Sequence, residues 1–115
     1  MGIRHKVKIS PYLGEERLVD GSKIRVYDEA KEYYMSLNSV SGYIEFRMFG
    51  DIAKRVVRGI VDIRYAKNIK ELDVAYLFDA DNEDEVIHGE KANYQVIAVM
   101  PQNVKAIVYF EKIHK

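Results

Sequence analysis

Between Tyr43 and Lys70 the chain places Arg47, Lys54, Arg55, Arg58, Arg64, Lys67 and Lys70 against only Glu45, Asp51 and Asp62, with Tyr43 and Phe49 in the same stretch. Cations beside exposed aromatic rings neutralise phosphates and stack bases, which is how single-strand nucleic-acid binders hold their ligand. The candidate nucleic-acid-binding set is therefore Tyr43, Arg47, Lys54, Arg55, Arg58, Arg64 and Lys67. The competing reading buries Tyr43 and Phe49 beneath a helix and leaves the cations as a solvated surface. The choice depends on where the elements put them.

Other chemistry has weaker support. The run Asp79 to Glu85, with Glu90 following, has the oxygen-ligand spacing of a calcium loop, but its sixth position is Asp84 where the sharp turn needs glycine. A metal-dependent enzyme built on the loop 79–90 is accordingly the third choice, and no cofactor or metal site is expected. His5, His88 and His114 lie far apart, and none of Ser10, Ser22, Ser36, Ser39 and Ser41 sits in a G-x-S-x-G elbow. Neither G-x-G-x-x-G nor a P-loop is present. With no cysteine, disulfides, thiolate metal ligands and cysteine nucleophiles are excluded. A non-enzymatic binding protein is the leading expectation.

The formal net charge is zero, yet it is unevenly laid out: residues 1–70 hold 14 Lys/Arg against 9 Asp/Glu, and residues 71–115 hold 4 against 9, so the halves carry +5 and −5. Either the fold mixes these halves or the molecule has a basic and an acidic side. The division also suits a second class of function, a protein-interaction or structural subunit. Nine tyrosines exceed what one small core buries with satisfied hydroxyls, and tyrosine is favoured at interfaces. A homo-oligomer is expected, with the terminal strand 104–111 pairing edge to edge across a dimer.

These residues need elements to position them. At 115 residues, 48% hydrophobic and 31% charged, with two prolines, the chain is expected to form one domain spanning 1–115. No apolar run approaches the roughly 18 residues that span a bilayer, and no signal-peptide core is visible, so a cytoplasmic, non-membrane protein is expected. The absence of tryptophan, with abundant Val, Ile, Tyr, Lys, Arg and Glu, leans toward a thermophilic source.

Period-2 alternation predicts strands over 4–10, 43–49, 60–67 and 72–78, and apolar runs predict central strands over 94–100 and 104–111. Asp20-Gly21 predicts a tight hairpin turn. Ala30, Tyr33, Tyr34 and Leu37, at three- and four-residue spacing behind Asp28, predict one helix, and Ile52, Val56 and Val57 before Gly59 predict a second. The expected fold class is α+β: a mostly antiparallel sheet of about seven strands with two short helices on one face, its core weighted toward the C-terminal third.

Overall fold

The computed structural model describes residues 4–40, 43–77 and 92–113. In chain order the strands are β1 (Arg4–Ser10), β2 (Tyr12–Arg17), β3 (Lys23–Tyr27), β4 (Lys31–Ser39), β5 (Val56–Asp62), β6 (Val74–Tyr76), β7 (Tyr94–Pro101) and β8 (Lys105–Lys112). One short helix, α1 (Tyr43–Phe49), runs into a 3₁₀ stretch, Gly50–Arg55, and a second 3₁₀ stretch, Ile63–Asn68, follows β5. The fold is thus strand-rich with little helix, but the sheet is not open. Six strands close into an antiparallel barrel in the order β1-β4-β5-β8-β7-β6, while β2 and β3 form a separate two-stranded ribbon.

Closure follows from alternation. Val7 and Ile9 of β1, Tyr33 and Met35 of β4, Val61 of β5, Val96 of β7 and Val108 and Phe110 of β8 all point inward and are buried. A barrel of few strands has an interior that side chains alone fill. Every strand must supply its inward face, which is why the core is not weighted to the C-terminal third as composition suggested. Gly59 marks how tight the interior is: a Cβ there would lie 2.7 Å from Met35 Sδ and 3.0 Å from the Phe110 ring.

Several elements differ from their sequence expectation. The helix expected behind Asp28 is strand β4, because Tyr33, Met35 and Leu37 form a period-2 inward set and Tyr34 faces outward. The strand expected over 43–49 is α1. Its Glu45, with Phe49 and Ala53, recurs every four residues on one helical face, where Glu45 and Ala53 are buried and Phe49 stacks edge-on to Tyr109 at 4.9 Å. The helix expected to end at Gly59 stops earlier, and Gly59 is a mid-strand residue of β5. Beyond Asp62 the expected strand turns into the 3₁₀ stretch, whose first turn Asp62 caps by accepting from Arg64 N at 2.9 Å. Of the described part of the strand expected over 72–78, residues 72–77, β6 alone is strand, after Leu72 at φ +79°.

The expected strand 4–10, the turn at Asp20-Gly21 and the β7–β8 hairpin are present. In the turn, Leu18 N donates to Ser22 O at 2.7 Å, Gly21 adopts φ +91°, and Asp20 accepts from Ser22 N and Oγ. Those two bonds hold the Asp20 carboxyl below its ordinary range, the hydroxyl contributing most. Edge-to-edge pairing of strand 104–111 across a dimer is ruled out in this fold, since β8 is bonded on both sides, to β5 and to β7. Among the described residues no helix is long and apolar enough to cross a membrane.

Candidate nucleic-acid interface

Outward positions on β1, β4, β5 and β8 form rows across the barrel. Register puts Arg4 opposite Ser36, Ser36 opposite Ile60 and Ile60 opposite Ile107. One step along, Lys6 faces Tyr34 and Asp62 faces Lys105. Between these rows lies a depression of about 230 Å³ whose lining includes Arg4, Tyr34, Ile60, Asp62, Val104 and Lys105. Tyr34 is 58% exposed on the outer wall of the barrel. Its cross-strand neighbour Lys6 is tied only loosely, to Glu32 at 3.8 Å with both side chains in solvent.

The acidic member of this face is already engaged. Asp62 accepts from the Arg64 backbone N–H and from Arg64 Nε at 3.2 Å. The backbone bond is the main reason its carboxyl sits below the usual range, with the Arg64 and Arg4 charges adding to it. Arg64 remains 74% exposed, with its guanidinium 5.5 Å from the Tyr65 ring centre, and Tyr65 in turn stands edge-on to Tyr33 at 5.6 Å. The depression is therefore edged by Arg4 and Lys105 and by the open ring of Tyr34, with Arg64 held beside it through Asp62.

Of the residues proposed from sequence, Arg64 is bonded to Asp62, which lines the depression, and Lys67 follows in the same 3₁₀ stretch, exposed. The others belong to a different part of the barrel. Tyr43 opens α1, Arg47 lies in it, and Lys54 and Arg55 end the next 3₁₀ stretch. Arg55 pairs with Glu111 at 3.1 Å. Arg58 is on the outer side of β5, four residues from Asp62 and so about 13 Å along the strand.

Arg58 is committed to a buried cluster. Its Nη1 donates to both Glu45 oxygens, at 3.3 and 3.2 Å, and Tyr109 OH donates to Glu45 Oε2 at 2.8 Å. Burial first, then the bond to and charge of Glu45, push the Tyr109 hydroxyl up to about 12 against an opposing pull from Arg58. Glu45 is only 8% exposed, and the trio clamps α1 onto β5 and β8.

Arg4, Lys6, Tyr34 and Lys105 are not legible as a set in the sequence. The alternating basic side of β1 is visible there, but the spacing around Tyr34 fits a helix, and Arg4 and Lys105 come to one depression only through the pairing of β1, β4, β5 and β8. The acidic loop 79–90 and the histidines His88 and His114 fall outside the described residues. Among the described residues no group of three His, Asp or Glu is placed to hold a metal ion.

No family model matches the chain, and no curated protein matches it in sequence. The chain is similar in structure to protein SF1141 from Shigella flexneri 2a, solved in solution, with a TM-score of 0.60 over 93% of this chain and 89% of that one at 15% identity. At that identity the likeness concerns the fold alone.

Proposed function

We propose that this protein is a cytoplasmic, non-enzymatic binding module for nucleic acid, and that a single strand lies across the outer face of β1, β4 and β5. The observation that carries the reading is Tyr34, an exposed ring set between Lys6 and a depression edged by Arg4 and Lys105. A closed barrel is a rigid support for such a platform, and small barrels present oligonucleotide sites on an outer sheet face. A base stacked on an aromatic ring contributes about 1–3 kcal/mol, and each neutralised phosphate adds to the salt dependence. Arg64 and Lys67 continue the cationic track beyond the end of β5.

Fluorescence anisotropy with labelled single-stranded and duplex oligonucleotides, at low salt and then with added salt, tests this. The single strand is expected to bind more tightly, with affinity falling linearly in log salt. Tyr34→Ala is expected to weaken binding by about tenfold or more. Lys105→Glu or Arg4→Glu is expected to flatten the salt slope by about one for each phosphate left without its cation. No binding at low salt ends the proposal.

A further inference from the structure

Among the described residues the β2–β3 ribbon is a sheet of its own, with no strand paired to either of its long edges. Its base is fastened: Tyr12 N donates to Asp73 Oδ1 at 2.8 Å, Asp28 N donates to Pro11 O at 2.8 Å, and the Tyr12 and Tyr27 rings meet at 5.7 Å. From Glu15 to Arg25 every residue is exposed, including the apolar Leu18, Val19 and Ile24. Two strands alone are marginal in water, whereas three or more with an apolar face are stable. A sheet edge with unpaired backbone groups is a template for another strand.

The two edges differ in charge. On β3, Lys23 and Arg25 are the only charged residues, so that edge opposes its own copy with like charge. On β2, Glu15, Glu16 and Arg17 follow one another in a way that suits a two-fold axis. An axis perpendicular to the sheet pairs residues of equal parity. Placed at Glu15 or at Arg17 it sets like charges face to face on the side that carries both. Placed at Glu16 it opposes Glu15 to the partner's Arg17 and Arg17 to the partner's Glu15, all within β2.

We propose that β2 pairs antiparallel with β2 of a second copy about an axis at Glu16, joining two ribbons into a four-stranded sheet in the order β3-β2-β2-β3. The interface is isologous, as a two-fold dimer requires. It uses a surface separate from the Tyr34 face, so neither proposal depends on the other. One like-charge meeting remains, Glu16 with the partner's Glu16 on the axis.

Sedimentation equilibrium over a wide concentration range, up to millimolar, tests the pairing. The native chain is expected to dimerise reversibly, and Arg17→Glu to weaken the dimer on the order of ten- to thirty-fold, because two attractive pairs become repulsive. Within one ribbon Arg17 faces Lys23, so Arg17→Glu improves the internal pairing, and a loss of dimer cannot be laid to an unfolded ribbon. Glu15→Arg together with Arg17→Glu restores opposite charges between copies and is expected to recover the dimer. The chain has no cysteine, so Glu16→Cys introduces one thiol per copy at the axis, where a Cα spacing of about 4.5–5.5 Å permits a disulfide under mild oxidation. A monomer at every concentration, a dimer indifferent to Arg17→Glu, or a Glu16→Cys chain that does not cross-link would each overturn the proposal.

Discussion

A methyl group on Gly59 would stand 2.7 Å from Met35 Sδ and 3.0 Å from Phe110 Cε2, with both side chains fully buried. Met35 can bend away, but its neighbours in a closed barrel leave it little room, and the Phe110 ring cannot yield without shifting β8. Gly59→Ala is therefore expected to cost about 1–3 kcal/mol in urea unfolding, and less when combined with Met35→Ala than the sum of the two single substitutions. In the sequence Gly59 looks like a helix terminator, because its role is set by two residues that reach it from β4 and β8. Tyr34 is hidden for a related reason. Tyrosine counts as apolar in a periodicity argument, yet here it is the outward residue between inward Tyr33 and Met35.

Elements are legible where one periodicity stands alone. Residues 4–10 alternate cleanly and form β1, and the Asp20-Gly21 pair turns the ribbon as its backbone preference requires. Residues 28–39 and 43–49 satisfy both the 2-residue and the 3.6-residue spacing, and tertiary contacts decide between them. For α1 the deciding contact is Glu45 against Arg58 and Tyr109, partners 13 and 64 residues away. Asp73 plays a comparable part for the ribbon. It is fully buried just before β6 and accepts from Tyr12 N at 2.8 Å and Lys70 N at 3.0 Å, with Lys70 Nζ at 3.3 Å. Asp73→Ala would strand two backbone donors and is expected to cost about 2–4 kcal/mol. Asp73→Asn keeps an acceptor and should cost less. Equal destabilisation of the two variants in thermal melts would count against the hydrogen-bonding role.

At the scale of the molecule, β1, β4 and β5 are consecutive neighbours in the barrel and so are β8, β7 and β6, with the two sets joined at the β5–β8 and β6–β1 seams. The cations of residues 1–70 do not form one patch: Arg4 and Lys6 lie on β1, Lys23 and Arg25 on the ribbon, and Arg58 is bound to Glu45. The same closure sets an alkaline limit to stability. Burial raises the hydroxyls of Tyr33 and Tyr94 above their ordinary value and pushes Tyr109 up to about 12. A tyrosine whose folded value exceeds its unfolded value of 10.0 favours the fold in its neutral form, fully so below pH 10. That contribution drains away as pH rises from 10 toward 12, because the unfolded chain ionises first. For Tyr109 the decline is on the order of 1–2 kcal/mol by the upper end of the window. Tyr109→Phe gives up the bond to Glu45 at neutral pH but has no hydroxyl to ionise. Urea midpoints of the two chains should therefore converge between pH 10 and 12, whereas a gap that stays constant across that window would show that Tyr109 does not titrate with folding.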